Sequence, residues 1–145
     1  MRARDAAPVR QVRVRIGGVE AANDAPLFFI AGLCSFESPA MLERVGKELK
    51  RIFAEARTPW ILKCSFDKAN RSSIRSYRGR GMAEALATFA RLKRDLRVPF
   101  LTDVHDAAQA APVARVVDVV QIPAFLCRQT DLLVACGRTG KPVNI

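Results

Sequence analysis

Two lysines five residues apart, Lys63 and Lys68, flank an aspartate, and the triplet Asn70-Arg71-Ser72 follows directly. The first lysine sits inside an apolar run, Trp60-Ile61-Leu62-Lys63-Cys64, where a cation is costly to bury unless something negative meets it. An arginine fork, two ammonium groups and neutral donors such as Ser65, Asn70 and Ser72 are the residue types that grip phosphate and carboxylate oxygens. Residues 63–80 hold two Lys, four Arg and one Asp, a net charge of +5, and residues 1–15 hold five Arg and one Asp, a net +4. These two segments carry nearly all of the formal charge of +10. A solvated basic surface loop would have the same composition, so the context decides between the readings. A nucleic-acid surface would interleave Lys and Arg with stacking aromatics, and only one Tyr and one Trp occur. The charge therefore points to a pocket for small anions rather than to nucleic acid.

Three further places carry chemistry-bearing residues. Asp103 and His105 follow the run Val98-Pro99-Phe100-Leu101-Thr102, Gln121 lies within Asp118-Val119-Val120-Gln121-Ile122, and Cys34 follows Leu27-Phe28-Phe29-Ile30-Ala31. His105 is the only histidine; a general base and a structural hydrogen-bonder are both open to it. The four cysteines, Cys34, Cys64, Cys127 and Cys136, lack metal-finger spacing and disulfide-scaffold density, which suits reduced thiols. No apolar run of signal-peptide or membrane-spanning length occurs, so a cytoplasmic protein without a membrane partner is expected.

The elements that must position these residues alternate regularly. Val12, Val14 and Ile16 alternate with charged residues ahead of Gly17-Gly18, the pattern of a short hairpin. The continuous run at 27–31 predicts a strand buried on both faces. Ser38-Pro39 supplies an N-cap and a first-turn proline for a helix through about Ala56, with Leu42, Val45, Leu49, Ile52 and Phe53 at helical spacing. A strand at 60–64, a long loop, a helix near 82–96, strands at 98–102 and 118–122, a short helix from Asp106 and one from about Thr130 that closes at Gly140 complete the series. Pro142-Val143-Asn144-Ile145 begins a further strand. Four strand–helix units plus the start of strand five, with polar residues gathered at the strands' C-terminal ends, predict an α/β protein of the TIM (β/α)8 barrel class. A doubly wound sheet is the alternative, but the first strand–helix turn lacks its glycine fingerprint. A closed barrel needs eight strands and about 250 residues. The expectation is therefore a basic tail over 1–13 followed by the N-terminal half of a barrel over 14–145, a fragment or one half of a split protein with unpaired sheet edges.

Three motifs carry a resemblance: Lys63 to Ser73 (KCSFDKANRSS), Thr102 to His105 (TDVH) and Gln121 to Leu132 (QIPAFLCRQTDL). They resemble the 3-deoxy-D-manno-octulosonate 8-phosphate synthase family, also named 2-dehydro-3-deoxyphosphooctonate aldolase, from about Val14 to Ile145. The resemblance implies condensation of phosphoenolpyruvate with arabinose 5-phosphate in lipopolysaccharide sugar biosynthesis, on a homo-oligomeric enzyme. It implies Lys63, Lys68 and Asp103 as catalytic residues, Lys63 facing the enolpyruvate and Lys68 the carboxylate and the sugar aldehyde. Ser65, Asn70, Arg71, Ser72, Gln121, the Pro123-Ala124 backbone at Ala124, and Arg128 are implied as substrate-binding, Arg128 reaching a neighbouring subunit's site. A cysteine at Cys34 marks the metal-dependent class, implying a thiolate ligand for zinc, iron or manganese whose partners, a histidine, a glutamate and an aspartate, belong to the other half of the family's barrel. Asp106 departs from the family's usual glutamate at a helix N-cap position. A sister synthase using erythrose 4-phosphate places Pro-Arg after the second lysine; here Ala69-Asn70 intervenes. An inactive fragment or a basic binding module is the remaining alternative.

Overall fold

The computed structural model describes residues 11–69 and 71–145; residues 1–10 of the basic tail, and Asn70, lie outside the described residues. Strands β1 (Val14–Ile16) and β2 (Val19–Ala21) pair antiparallel across Gly17-Gly18, as the alternation predicts. The chain then runs β3 (Phe29–Leu33), α1 (Pro39–Glu55), β4 (Trp60–Cys64), α2 (Met82–Leu96), β5 (Phe100–Asp103), α3 (Ala107–Ala114), β6 (Val119–Gln121), a 3-10 turn (Ala124–Leu126), α4 (Thr130–Gly137) and β7 (Val143–Asn144). Strands β3 to β7 form one parallel sheet in strictly sequential order. A doubly wound sheet would reverse its order at a switch point. Sequential winding with helical crossovers is instead the arrangement of consecutive units of a barrel.

Local chemistry sets the helix starts. Ser38 Oγ accepts the Met41 N–H at 3.2 Å, with Pro39 in the first turn, and Asp106 accepts the Ala108 N–H at 2.8 Å at the head of α3. The aspartate that departs from the family's glutamate thus caps a helix.

The two faces of the sheet have different tasks. On one, Trp60, Leu62, Cys64, Phe100 and Val120 pack against Phe36, Leu42, Phe89 and Leu92. Phe89 stacks on Phe100 with centroids 4.5 Å apart and takes Phe36 edge-on at 5.6 Å. On the other, Ile61, Leu101 and Val119 form a smaller apolar layer sealed by Ile16 and Val19 of the hairpin. The hairpin therefore covers one end of this second face. The period of two then places Lys63, Asp103 and Gln121, one rung further along their strands, on that same face.

The structure corrects several boundaries. The strand at 27–31 is not buried on both faces: β3 starts at Phe29, and Phe29 and Ile30 remain 45% and 41% exposed. It is the edge strand, paired to β4 alone, so burial of its second side depends on a neighbour that the described residues do not supply. Strand β5 starts at Phe100 rather than Val98, because Pro99 has no N–H for the ladder. Strand β6 is shorter than 118–122, since Asp118 turns its carboxylate to the Phe100 N–H at 2.9 Å and to Lys93 at 2.7 Å. Helix α4 closes at Gly137, not Gly140, and the Arg138 N–H bonds back to Val134. Gly140, at φ +69°, serves the turn into β7 instead.

Candidate active site

The ladder registers assemble a polar layer on the face that the hairpin covers. Gly32 pairs with Lys63, and Lys63 with Leu101, so that two residues on Ser65 aligns with Asp103; Asp103 pairs with Gln121 and Gln121 with Asn144. Each strand thus hands its last inward positions to one polar cluster, at the end of the sheet where barrel enzymes keep their chemistry.

Ser65 is the pivot. Its hydroxyl, fully buried, accepts Lys63 Nζ and Lys68 Nζ, each at 2.9 Å. With its oxygen engaged by both ammonium groups, the hydroxyl has only its proton left to give, and the nearby Asp103 carboxylate is lowered in pKa by it. Two like charges held on one neutral oxygen repel, so this arrangement favours a bound anion. Burial pushes the Lys63 pKa below the usual lysine value, and Lys68 adds to that, while the Asp103 carboxylate opposes it. For Asp103, burial alone would raise the pKa; hydrogen bonds from His105 and Ser65 and the charge of Lys63 overcome it and hold the carboxyl below the usual range. The carboxylate is therefore ionised throughout the neutral range.

His105 Nε2 lies 3.2 Å from Asp103 Oδ2, and its ring meets Phe66 edge-on. Its own backbone N–H bonds to Gln109 Oε1 at 2.8 Å. The histidine thus orients the aspartate. His105 Nδ1 and Asp103 Oδ1, both buried, have no hydrogen-bond partner within the described chain.

The basic loop is braced rather than loose. Arg78 clasps the Asp67 carboxylate with two donors, Nε at 2.8 Å and Nη2, and this hydrogen bonding lowers the Asp67 pKa. The Lys68 N–H bonds to the Arg78 carbonyl at 2.8 Å. A Cβ on Gly79, at φ +137°, would overlap the Phe66 carbonyl, so only glycine lets the two arms close. Arg71, exposed, donates from Nε to the Tyr77 carbonyl at 3.1 Å, and Ser72 is exposed beside it. Asn70 lies outside the described residues.

The remaining residues stand at the same end. Half-buried Gln121 closes β6, and Ala124 heads the 3-10 turn, where its N–H has no partner within the turn. Arg128 is exposed between that turn and α4. Cys34 is exposed just past β3, near enough to Lys63 to interact electrostatically. Among the described residues no three His, Cys, Asp or Glu side chains converge on a point that could hold a metal ion. The neighbouring Cys64 thiol is pushed up to about 12, chiefly by burial, and offers no second thiolate. One thiol beside an ammonium does not fit a metal ion by itself.

Gly32 and Tyr77 escape the sequence reasoning. The first has a faint signal, a glycine within the last turn of a strand ahead of polar residues; the second is the only tyrosine of the chain, set in a polar loop.

The DAHP synthetase I family model matches residues 7–145. The 2-dehydro-3-deoxyphosphooctonate aldolase of Cupriavidus necator is 54% identical over 132 residues, covering 91% of this chain and 46% of that protein. The enzyme of that name from Burkholderia mallei matches with the same identity and coverage. That of Desulfotalea psychrophila is 51% identical over 120 residues, 83% of this chain and 43% of the relative. The chain spans somewhat under half the length of the curated relatives it matches.

Proposed function

The chain belongs to the DAHP synthetase I family, and from that premise we propose that its polar layer around Ser65 is the anion-binding half of a 3-deoxy-8-phosphooctulonate synthase site. The reaction joins C3 of phosphoenolpyruvate to the aldehyde carbon of arabinose 5-phosphate, consumes water and releases phosphate. The observation that carries the reading is the convergence of Lys63 and Lys68 on the buried Ser65 hydroxyl beside ionised Asp103. In this reading Lys63 meets the enolpyruvate oxygens, and Lys68 meets the carboxylate and polarises the aldehyde. Asp103, steadied by His105, accepts hydrogen bonds from sugar hydroxyls. Asn70, Arg71 and Ser72 hold the sugar phosphate, while Gln121 and the Ala124 N–H serve the enolpyruvate phosphate. Arg128, exposed at the rim, is assigned to a neighbouring subunit's site in a homo-oligomer. Cys34 is assigned as one thiolate donor for zinc, iron or manganese, with the rest of the ligand set supplied from beyond the described residues. The names of the relatives and the Ala69-Asn70 pair after Lys68 favour the five-carbon sugar phosphate over erythrose 4-phosphate.

Lys63 makes the reading testable by pH. An anion is bound only by the protonated lysine, whose pKa burial has lowered. Phosphoenolpyruvate affinity of the purified chain should hold steady below that lowered pKa and fall as pH rises through it, before the ordinary lysine range near 10.4 is reached. Binding should take up a fraction of a proton in that window, read by calorimetry in buffers of different ionisation heat. Affinity unchanged up to pH 10, or binding without proton uptake, would count against the assignment.

A further inference from the structure

We infer that Tyr77 is a positioning residue, a latch that ties the loop after β4 to the loop after β3 and aims the Arg71 guanidinium. The inference rests on the anion-binding reading above, and five contacts support it. The Tyr77 hydroxyl donates to the Phe36 carbonyl at 2.8 Å, across 41 residues of sequence. Phe36, fully buried, in turn donates its N–H to the Ser65 carbonyl at 2.8 Å, so the latch is anchored to the residue on which both lysines converge. The Tyr77 carbonyl accepts from Arg71 Nε, and the terminal nitrogens of the guanidinium have no partner among the described residues. The adjacent Arg78 closes the loop base on Asp67 and Lys68.

One residue thus holds the β3 loop with its side chain and the arginine with its main chain. Without the latch, the loop keeps its base but its tip, where Ile74 is fully exposed, has no apolar burial to fix it. An arginine on a free tip must be ordered each time it binds an anion, which costs affinity.

Tyr77→Phe removes the hydroxyl alone and leaves the ring and the carbonyl. The first measurement is amide hydrogen exchange on the ligand-free chain. In Tyr77→Phe, exchange should rise about three- to tenfold over residues 71–77, and the α2 core should be unchanged, in keeping with the loss of one hydrogen bond. Equal exchange in the loop would overturn the latch whatever the loop binds. The second is a double-mutant cycle with arabinose 5-phosphate and inorganic phosphate as titrants. Tyr77→Phe should weaken arabinose 5-phosphate binding about three- to tenfold in the parent, yet add nothing in an Arg71→Ala background. Additive losses would show that Tyr77 does not act through Arg71, and would overturn the proposal. If Arg71→Ala itself leaves arabinose 5-phosphate binding intact, the anion-binding reading fails, while the exchange result still decides the latch.

Discussion

Lys63→Met should weaken phosphoenolpyruvate binding at neutral pH by a hundredfold or more while leaving the fold as stable as the parent or slightly more so. The two halves of this expectation come from one fact. Burial depresses the Lys63 pKa in the folded chain. A lysine whose folded pKa lies below its unfolded value imposes a penalty that is present in full below the folded pKa and is relieved as pH rises through it. At neutral pH the chain bears that penalty, so a methionine of similar length removes it and fills the same half-buried space beside Ile61. Asp103 loses one favourable charge but keeps His105 and Ser65. The bound anion, however, loses a charged donor in a partly desolvated site, and a single such group is worth about 3 kcal/mol in comparable settings. Calorimetric titration and thermal melting of the same preparation separate the effects. Lost affinity together with a melting temperature lower by more than a few degrees would mean that Lys63 is chiefly structural, and unchanged affinity would remove it from the site.

Gly32→Ala should fail in the opposite manner, by damaging the fold. Gly32 sits at φ +153° and pairs with Lys63 across the ladder, where a Cβ would run into the Lys63 carbonyl oxygen. That oxygen is backbone and cannot step aside as a side-chain tip would. The strands must part, or β3 must leave the sheet, and with it goes the approach that brings Phe36 to Ser65. A cost of about 4 kcal/mol is a large share of the 5–15 kcal/mol that holds a typical domain together. For a chain of this size it corresponds to a fall of about 10 °C or more in melting temperature. Gly18→Ala is the control, because nothing lies within 4 Å of a Cβ there. A Gly32→Ala chain that melts with the parent would show that the ladder at this position is not as tight as described.

Much of this was legible in the residue order because its causes are local. Ser38-Pro39 dictates where α1 begins, Asp106 caps α3, and the alternation around Gly17-Gly18 dictates the hairpin. The clustering of Lys63, Ser65, Lys68 and Arg71 was visible as composition, since all lie on one strand end and its loop. The exposure of Phe29 and Ile30 was not visible, because a strand's second neighbour is a property of the whole sheet rather than of the run itself. Nor could spacing show that the Lys63 and Lys68 ammonium groups share one hydroxyl, that His105 serves Asp103, or that Tyr77 reaches Phe36. Those contacts depend on register between strands and on where a long loop folds back. The start of β6 has the same origin, because the Phe100 N–H is taken by the Asp118 carboxylate rather than by a main-chain carbonyl, although the Asp118 N–H still bonds to the Phe100 carbonyl. The start of β5, by contrast, is local to Pro99.

If the polar face around Ser65 supplies the anion-binding half of a condensing site, it should work only when the other half is present. The most direct test is phosphate release from phosphoenolpyruvate and arabinose 5-phosphate, with manganese or zinc present. The chain is mixed with a polypeptide covering the part of the Cupriavidus necator relative that it does not match. Release that requires both polypeptides and disappears with Lys63→Met is the predicted result. Release undiminished by Lys63→Met, or none from a mixture in which the two polypeptides co-purify, would mean that this face is not the anion-binding half of the site.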